Sequence, residues 1–137
     1  MRILGLDIGS KRIGMALSDE LGFTAQGLKT LESRGGANDI AAIVKIVNEF
    51  SVTEIVVGMP YNMDGSEGPQ AQKALAMIEE LALATGVPVF KWDERMSTMA
   101  AERMLLEADL SRAKRRKVID KVAAAIILQG YLDSKRR

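Results

Sequence analysis

Asp7 is the one carboxylate in the apolar run Ile3-Leu4-Gly5-Leu6-Asp7-Ile8, which leads into the polar turn Gly9-Ser10-Lys11-Arg12. A nearly unbroken apolar run marks a strand covered on both faces of a sheet. A carboxylate set there is costly unless a cation or a hydrogen-bond network compensates it. Asp7 therefore either accepts hydrogen bonds from the turn behind it or holds a metal ion. Two further acidic positions raise the same question. Asp93-Glu94-Arg95 closes the stretch Val87–Trp92, and Asp120 shares a helical stripe with Ala124, Ile127 and Tyr131. For Asp120 the plain alternative is a helix-surface ion pair with Arg116, Lys117 or Lys121, a common and weak interaction.

The chain contains neither histidine nor cysteine. That excludes thiol nucleophiles, disulfides, Cys/His zinc sites, the Ser-His-Asp triad and imidazole acid/base catalysis. Catalysis, if present, must be carried by carboxylates, lysines, arginines, hydroxyls and a bound hard cation. Charge is segregated behind a net +1: residues 1–110 hold 10 Lys+Arg against 16 Asp+Glu, and residues 111–137 hold 9 against 2. A basic segment on a mildly acidic body suits a nucleic acid or another anionic surface, and it also suits a tail that only keeps the protein soluble. With 137 residues, 47% of them hydrophobic, the length fits one domain, 1–137, with a real core. No apolar run is long enough to span a bilayer and no signal-peptide pattern follows Met1, so a cytoplasmic protein without a membrane partner is expected.

The elements that must position these acids follow from periodicity. Ile3–Ile8 and Ile13–Asp19 read as an antiparallel pair, with Gly14 allowing close backbone approach, and Thr24–Leu31 reads as a weaker third strand that buries Ala25 and Leu28. Asp39–Phe50 carries Ile40, Ile43, Val44, Val47 and Phe50 at helical spacing, with Asn38 as N-cap. Glu54–Met59 is a β-branched parallel strand stopped by Pro60, and the turn-rich loop Tyr61–Pro69 follows it. A helix from about Gln70 to Ala84 places Ala74, Leu75, Ile78, Leu81 and Ala82 inward and closes at Gly86. After the strand Val87–Trp92, Ser97 or Thr98 caps a helix through Met99, Met104 and Leu105. A last helix runs from about Lys114 to Leu132, its Ala123-Ala124-Ala125 permitting close approach to the sheet. Three antiparallel strands followed by alternating helices and two parallel strands make an α/β, five-stranded mixed sheet with flanking helices, the layout of the ribonuclease H-like fold. Ligands gather at the carboxyl ends of parallel strands in such sheets.

Four segments carry a more specific resemblance: Asp7-Ile8-Gly9-Ser10-Lys11-Arg12-Ile13-Gly14-Met15-Ala16, Val57-Gly58-Met59-Pro60-Tyr61-Asn62-Met63-Asp64-Gly65-Ser66, Asp93-Glu94-Arg95-Met96-Ser97-Thr98 and Asp120-Lys121-Val122-Ala123-Ala124-Ala125-Ile126-Ile127-Leu128. In this order and spacing they resemble the YqgF family, Holliday-junction-resolvase-like nucleases assigned to maturation of precursor small-subunit ribosomal RNA. The resemblance covers essentially the whole chain. It implies that Asp7, Glu94 and Asp120 are the catalytic carboxylates, with Asp93 as a supporting or substitute acid, and that they hold Mg²⁺ or Mn²⁺ for phosphodiester hydrolysis. It further implies phosphate contacts from Lys11, Arg12, Arg95, Asn62 and Ser66. Within the basic segment, Lys114, Arg115, Arg116 and Lys117 precede Asp120 by one to two helical turns, so nucleic-acid phosphates gripped there are expected to pass close to the metals. Precursor ribosomal RNA is the implied substrate and structured DNA the other, acted on by a monomer or weak homodimer.

Two alternatives stand beside this. Asp-x-Gly-x-x-x-x-Gly after a first strand also resembles the phosphate loop of the actin, Hsp70 and sugar-kinase group, although this chain has residues for only one of their two lobes. A non-catalytic nucleic-acid-binding module is the other, and retention of all three acids argues against it.

Overall fold

The structure, a computed structural model, describes residues 1–96 and 112–136, and of 112–118 the backbone alone. Strands β1 (Arg2–Ile8), β2 (Arg12–Ser18) and β3 (Ala25–Glu32) form the expected meander. Helix α1 (Gly36–Glu49), β4 (Val52–Met59), α2 (Pro69–Thr85), β5 (Val89–Asp93) and a 3-10 turn at Glu94–Met96 follow, and α3 (Arg112–Lys135) is the last element. The sheet order is β3-β2-β1-β4-β5. β1 lies at its centre, antiparallel to β2 and parallel to β4, while β5 extends the parallel half beside β4. The fold class is therefore the one anticipated. The helix through Met99, Met104 and Leu105, with its cap at Ser97 or Thr98, lies outside the described residues.

Side chains alternate between the two faces of a strand, and here each face has its own apolar cover. Leu4, Leu6 and Ile8 share one core with Ile13, Met15, Leu17, Ile55, Val57 and Met59 and with the inward residues of α1 and α2. Ile3, Ala16 and Val56 pack on the opposite face against Ala124, Leu128 and Leu132 of α3. Each fully buried aliphatic side chain contributes about 1.5–3 kcal/mol relative to exposure. Asp7 has the parity of Ile3 and Gly5, so it faces α3.

Helix boundaries correct several expectations. α1 begins at Gly36, so Asn38 lies inside it and is not the N-cap. Its start is held instead by buried Asp39, whose carboxylate accepts hydrogen bonds from Ser33 Oγ at 2.6 Å and the Arg34 N–H at 2.9 Å. An acid there satisfies donors and complements the helix dipole together. In α2, Pro69 opens the helix and Gly86 closes it in the left-handed region at φ 72°. Met77 is buried and Ala82 is exposed, the reverse of the inward face expected for that turn. In β3, Ala25 and Leu28 are only half-buried, and they pack on opposite faces.

The closeness of α3 to the sheet comes from glycines as much as from its alanines. A β-carbon at Gly5 would stand 2.8 Å from Leu128 Cβ, at Gly14 2.0 Å from the Asp120 carbonyl oxygen, and at Gly58 2.4 Å from Ile127 Cδ1. Side chains at these positions would push the helix off, so the three glycines form a trough for it. Gln129 pins the helix laterally, accepting from the Ala25 N–H and donating to the Phe23 carbonyl, both at 3.0 Å.

Candidate active site

Asp7, Glu94 and Asp120 line one cleft of about 280 Å³ at the carboxyl ends of β1 and β4, together with Gly9, Ser10, Pro60 and Gln70. Each acid arrives by a different local rule. Asp7 is set by strand parity and sits opposite Gly14 in the β1–β2 register. Gly14 in turn admits the Asp120 backbone, so one glycine brings Asp120 beside Asp7. Glu94 lies where β5 gives way to the 3-10 turn. Its Oε1 lies 3.1 Å from the point a β-carbon on Gly58 would occupy, so the bare edge of β4 leaves room for that carboxylate.

The neighbouring acid is employed elsewhere. Asp93 accepts from Arg95 Nη2 at 2.7 Å, from Arg95 Nε at 3.1 Å and from the Arg95 N–H at 2.9 Å. The Arg95 hydrogen bonds hold the Asp93 carboxyl below its ordinary value, against the opposing effect of burial. Arg95 also lies over the Tyr61 ring at 5.6 Å and donates to the Met63 carbonyl, tying the loop after β4 to the end of β5. Asp93 thus supports the loop and Glu94 faces the cleft.

Asp120 is engaged in a way spacing did not suggest. Its partner is Arg12 at the start of β2, whose Nε donates to Asp120 Oδ2 at 2.7 Å, both side chains being mostly buried. Among the described residues no three acidic side chains are gathered tightly enough to grip an ion as they stand. The donor chemistry nonetheless suits a hard divalent cation, because the cleft offers carboxylate oxygens from three separate elements and no soft ligand.

The other anticipated contacts divide by position. Lys11 is exposed at the turn. Asn62 and Ser66 are exposed and bonded to each other, Asn62 Nδ2 donating to Ser66 Oγ at 2.9 Å, and Ser66 donates to Asp64. That hydroxyl and its backbone N–H hold the Asp64 carboxyl below its usual range. Lys114, Arg115, Arg116 and Lys117 fall in the first turns of α3, and their side chains lie outside the described residues. Two residues went unread, one bracing the turn at the cleft and one in its wall. Lys73 Nζ donates to the Gly9 carbonyl at 3.0 Å, clasping the β1–β2 turn from α2, and Gln70 stands one helical turn before it on the same face. Helical spacing made that pair readable once α2 was set over the turn.

Two larger hollows lie elsewhere, about 360 Å³ beside Asp19 and about 500 Å³ beside Asp39. Asp19 accepts from the Phe23 and Thr24 N–H groups and Asp39 from Ser33 and Arg34 ahead of α1, so of these three hollows the smallest is the one where Asp7, Glu94 and Asp120 converge.

Comparison with known proteins bears on this cleft. The RuvX family model, described as Holliday junction resolvase, matches residues 1–134. A protein of Symbiobacterium thermophilum named "Putative pre-16S rRNA nuclease" is 59% identical over 135 residues, spanning 98% of this chain and 94% of that one. Proteins of the same name from Desulforamulus reducens and Geobacillus kaustophilus are 56% and 55% identical, spanning 98% and 99% of this chain and 98% and 100% of theirs. Among solved structures, T. thermophilus RuvC with a Holliday junction substrate superposes with TM-score 0.64 at 16% identity over 99% of this chain and 96% of that one. Fowlpox virus resolvase with Holliday junction DNA gives TM-score 0.60 at 13% identity over the whole of both chains. At these identities the structural likeness establishes the fold, which is ribonuclease H-like.

Proposed function

This chain belongs to the RuvX family of Holliday junction resolvases, and from that premise we propose that it is a divalent-metal-dependent nuclease that hydrolyses phosphodiester bonds of precursor 16S ribosomal RNA. The observation that carries the proposal is the meeting of Asp7, Glu94 and Asp120, from a strand, a strand end and a helix, in one cleft. The near relatives that share the name pre-16S rRNA nuclease support RNA as the substrate. The site residues proposed are those three acids, with Lys11, Arg12, Arg95, Asn62, Ser66 and Lys114–Lys117 on the nucleic acid, in one domain spanning 1–137. Cytoplasmic location accords with this work. Among the described residues no helix is long and apolar enough to cross a membrane.

Asp7, Glu94 and Asp120 would hold Mg²⁺ or Mn²⁺, which when bound supplies water activation and charge stabilisation on the leaving oxygen. The chain's own residues do the rest. The Gly9-Ser10 turn, fixed from behind by Lys73, shapes the wall against which a phosphate lies. Arg95 keeps the Tyr61–Pro69 loop at the cleft mouth through Asp93 and Tyr61, and basic side chains of the turn and of α3 bind the polyanion without reading its sequence.

Single-turnover cleavage of precursor 16S rRNA ends and of four-way DNA junctions, each with Mn²⁺, Mg²⁺ or EDTA, tests this reading. Cleavage should require metal and should fall by orders of magnitude in Asp7→Asn, Glu94→Gln and Asp120→Asn while much of the RNA affinity remains. RNA binding indifferent to metal and to Asp7, with no cleavage, would replace the nuclease by a binding module.

A further inference from the structure

Arg12 and Asp120 are 108 residues apart in the chain, yet their side chains meet at 2.7 Å at the edge of the cleft. The backbone of Arg12 is fixed, because its carbonyl accepts the Gly9 N–H at 2.9 Å and closes the turn that lines the cleft. Any change of partner by Arg12 is therefore a side-chain rotation about a firm anchor. The carboxylate it holds is the one that α3 contributes to the acidic set, and a guanidinium there repels a second cation brought to the same oxygens. The guanidinium is also the side chain best shaped to take a phosphate in two parallel hydrogen bonds.

We propose that Arg12 is a resident counter-ion that occupies Asp120 until nucleic-acid phosphate draws the guanidinium away, so that substrate and divalent metal load together. The proposal rests on the nuclease reading above and adds to it a coupling between the two ligands. Arg12 lowers the affinity for metal alone, and a phosphate that removes Arg12 restores it. By linkage, metal raises the affinity for nucleic acid through the same exchange. A free enzyme of this design holds metal weakly and becomes competent on its substrate.

Calorimetric titration of the full chain with Mn²⁺ alone, and again with an RNA whose phosphorothioate linkages slow hydrolysis at phosphorus, tests the coupling. Arg12→Gln should bind Mn²⁺ about three- to tenfold more tightly than wild type, the range expected when a partly buried ion pair no longer competes. RNA should tighten Mn²⁺ binding in wild type and do so much less in Arg12→Gln. Arg12→Lys, which keeps the charge and loses the Nε donor, should fall between and serves if the Gln variant unfolds. Lys121→Gln removes the same charge beside Asp120 without touching that pair, and should leave Mn²⁺ affinity within about twofold, since a charge that is not ion-paired to Asp120 contributes little. No tightening in either Arg12 variant, or an equal gain in Lys121→Gln, overturns the proposal. Asp7→Asn separates the two readings: if it binds Mn²⁺ as wild type does, the nuclease site is wrong, whereas loss of binding in Asp7→Asn with no effect at Arg12 defeats the counter-ion alone.

Discussion

Gly14→Ala is the substitution that most directly tests how the site is assembled. The added methyl would stand 2.0 Å from the Asp120 carbonyl oxygen and 2.5 Å from its carbonyl carbon. Both are backbone atoms, so no side-chain rotation relieves the clash. To restore contact at 3.4 Å the helix must retreat locally by about 1.4 Å, taking the Asp120 carboxylate away from Asp7. Overpacking of this kind costs about 1–3 kcal/mol, and a misplacement near 1 Å at a reacting centre costs about 10²-fold in rate. Urea unfolding should show the destabilisation, and single-turnover cleavage on the still-folded variant should show the rate loss. Gly36→Ala is the control. Its added methyl meets only Glu80 Oε2 at 3.8 Å in the first turn of a helix, so it should be neutral or stabilising by about 0.4–1 kcal/mol. A Gly14→Ala protein as stable and as active as Gly36→Ala would refute the claim that this glycine sets the position of Asp120.

Mn²⁺ at one hundred times its dissociation constant should stabilise the wild-type protein by about 2.7 kcal/mol, and calorimetry should show that Asp7→Asn abolishes the rise. Neutralising two of Lys114, Arg115, Arg116 and Lys117 should weaken binding to all sequences alike and flatten the salt dependence by about one unit of slope per lost contact; an unchanged slope places the patch away from the substrate. Asp93→Asn should cleave far better than Glu94→Gln, because Asp93 is bonded to Arg95. Since the folded-state value of Asp93 lies below its ordinary 3.8, its stabilising effect is present above that pH and fades as pH falls through the lower folded value. Wild type should therefore exceed Asp93→Asn by about 0.2–1 kcal/mol at neutral pH, as expected for an exposed pair, with the difference closing in acid melts below pH 3.8.

What was legible in the sequence was whatever depends on local periodicity. An apolar run with one acid gave the buried strand and marked Asp7 as a carboxylate in need of a partner, and helical spacing put Asp120 on a partly inward face. Gly14 was readable as a point of close approach because a glycine inside an apolar strand has few other uses. What escaped depends on contacts between distant segments. Arg12 had no sequence neighbour to mark it as the partner of Asp120, and the candidates drawn from helix spacing, Arg116, Lys117 and Lys121, answer only to their own element. Gly58 lay in a quoted motif without a stated role, because the helix that needs its bareness is contributed from far along the chain. Asp93 and Glu94 were ambiguous for a different reason. The strand ends between them, so pleat parity could not say which side chain turns inward, and the Arg95 clasp decided it.

The trough of Gly5, Gly14 and Gly58 has a consequence in time. These glycines belong to β1, β2 and β4, which leave the ribosome early, whereas the helix that fills the trough is synthesised last. A nascent chain that stops before residue 112 already carries Asp7 and Glu94 but shows water an uncovered sheet face, and contacts of such long sequence separation form slowly. The third acid reaches the others only when α3 lands. The cleft that Asp7, Glu94 and Asp120 line is therefore complete only after the chain between them has been made and folded back.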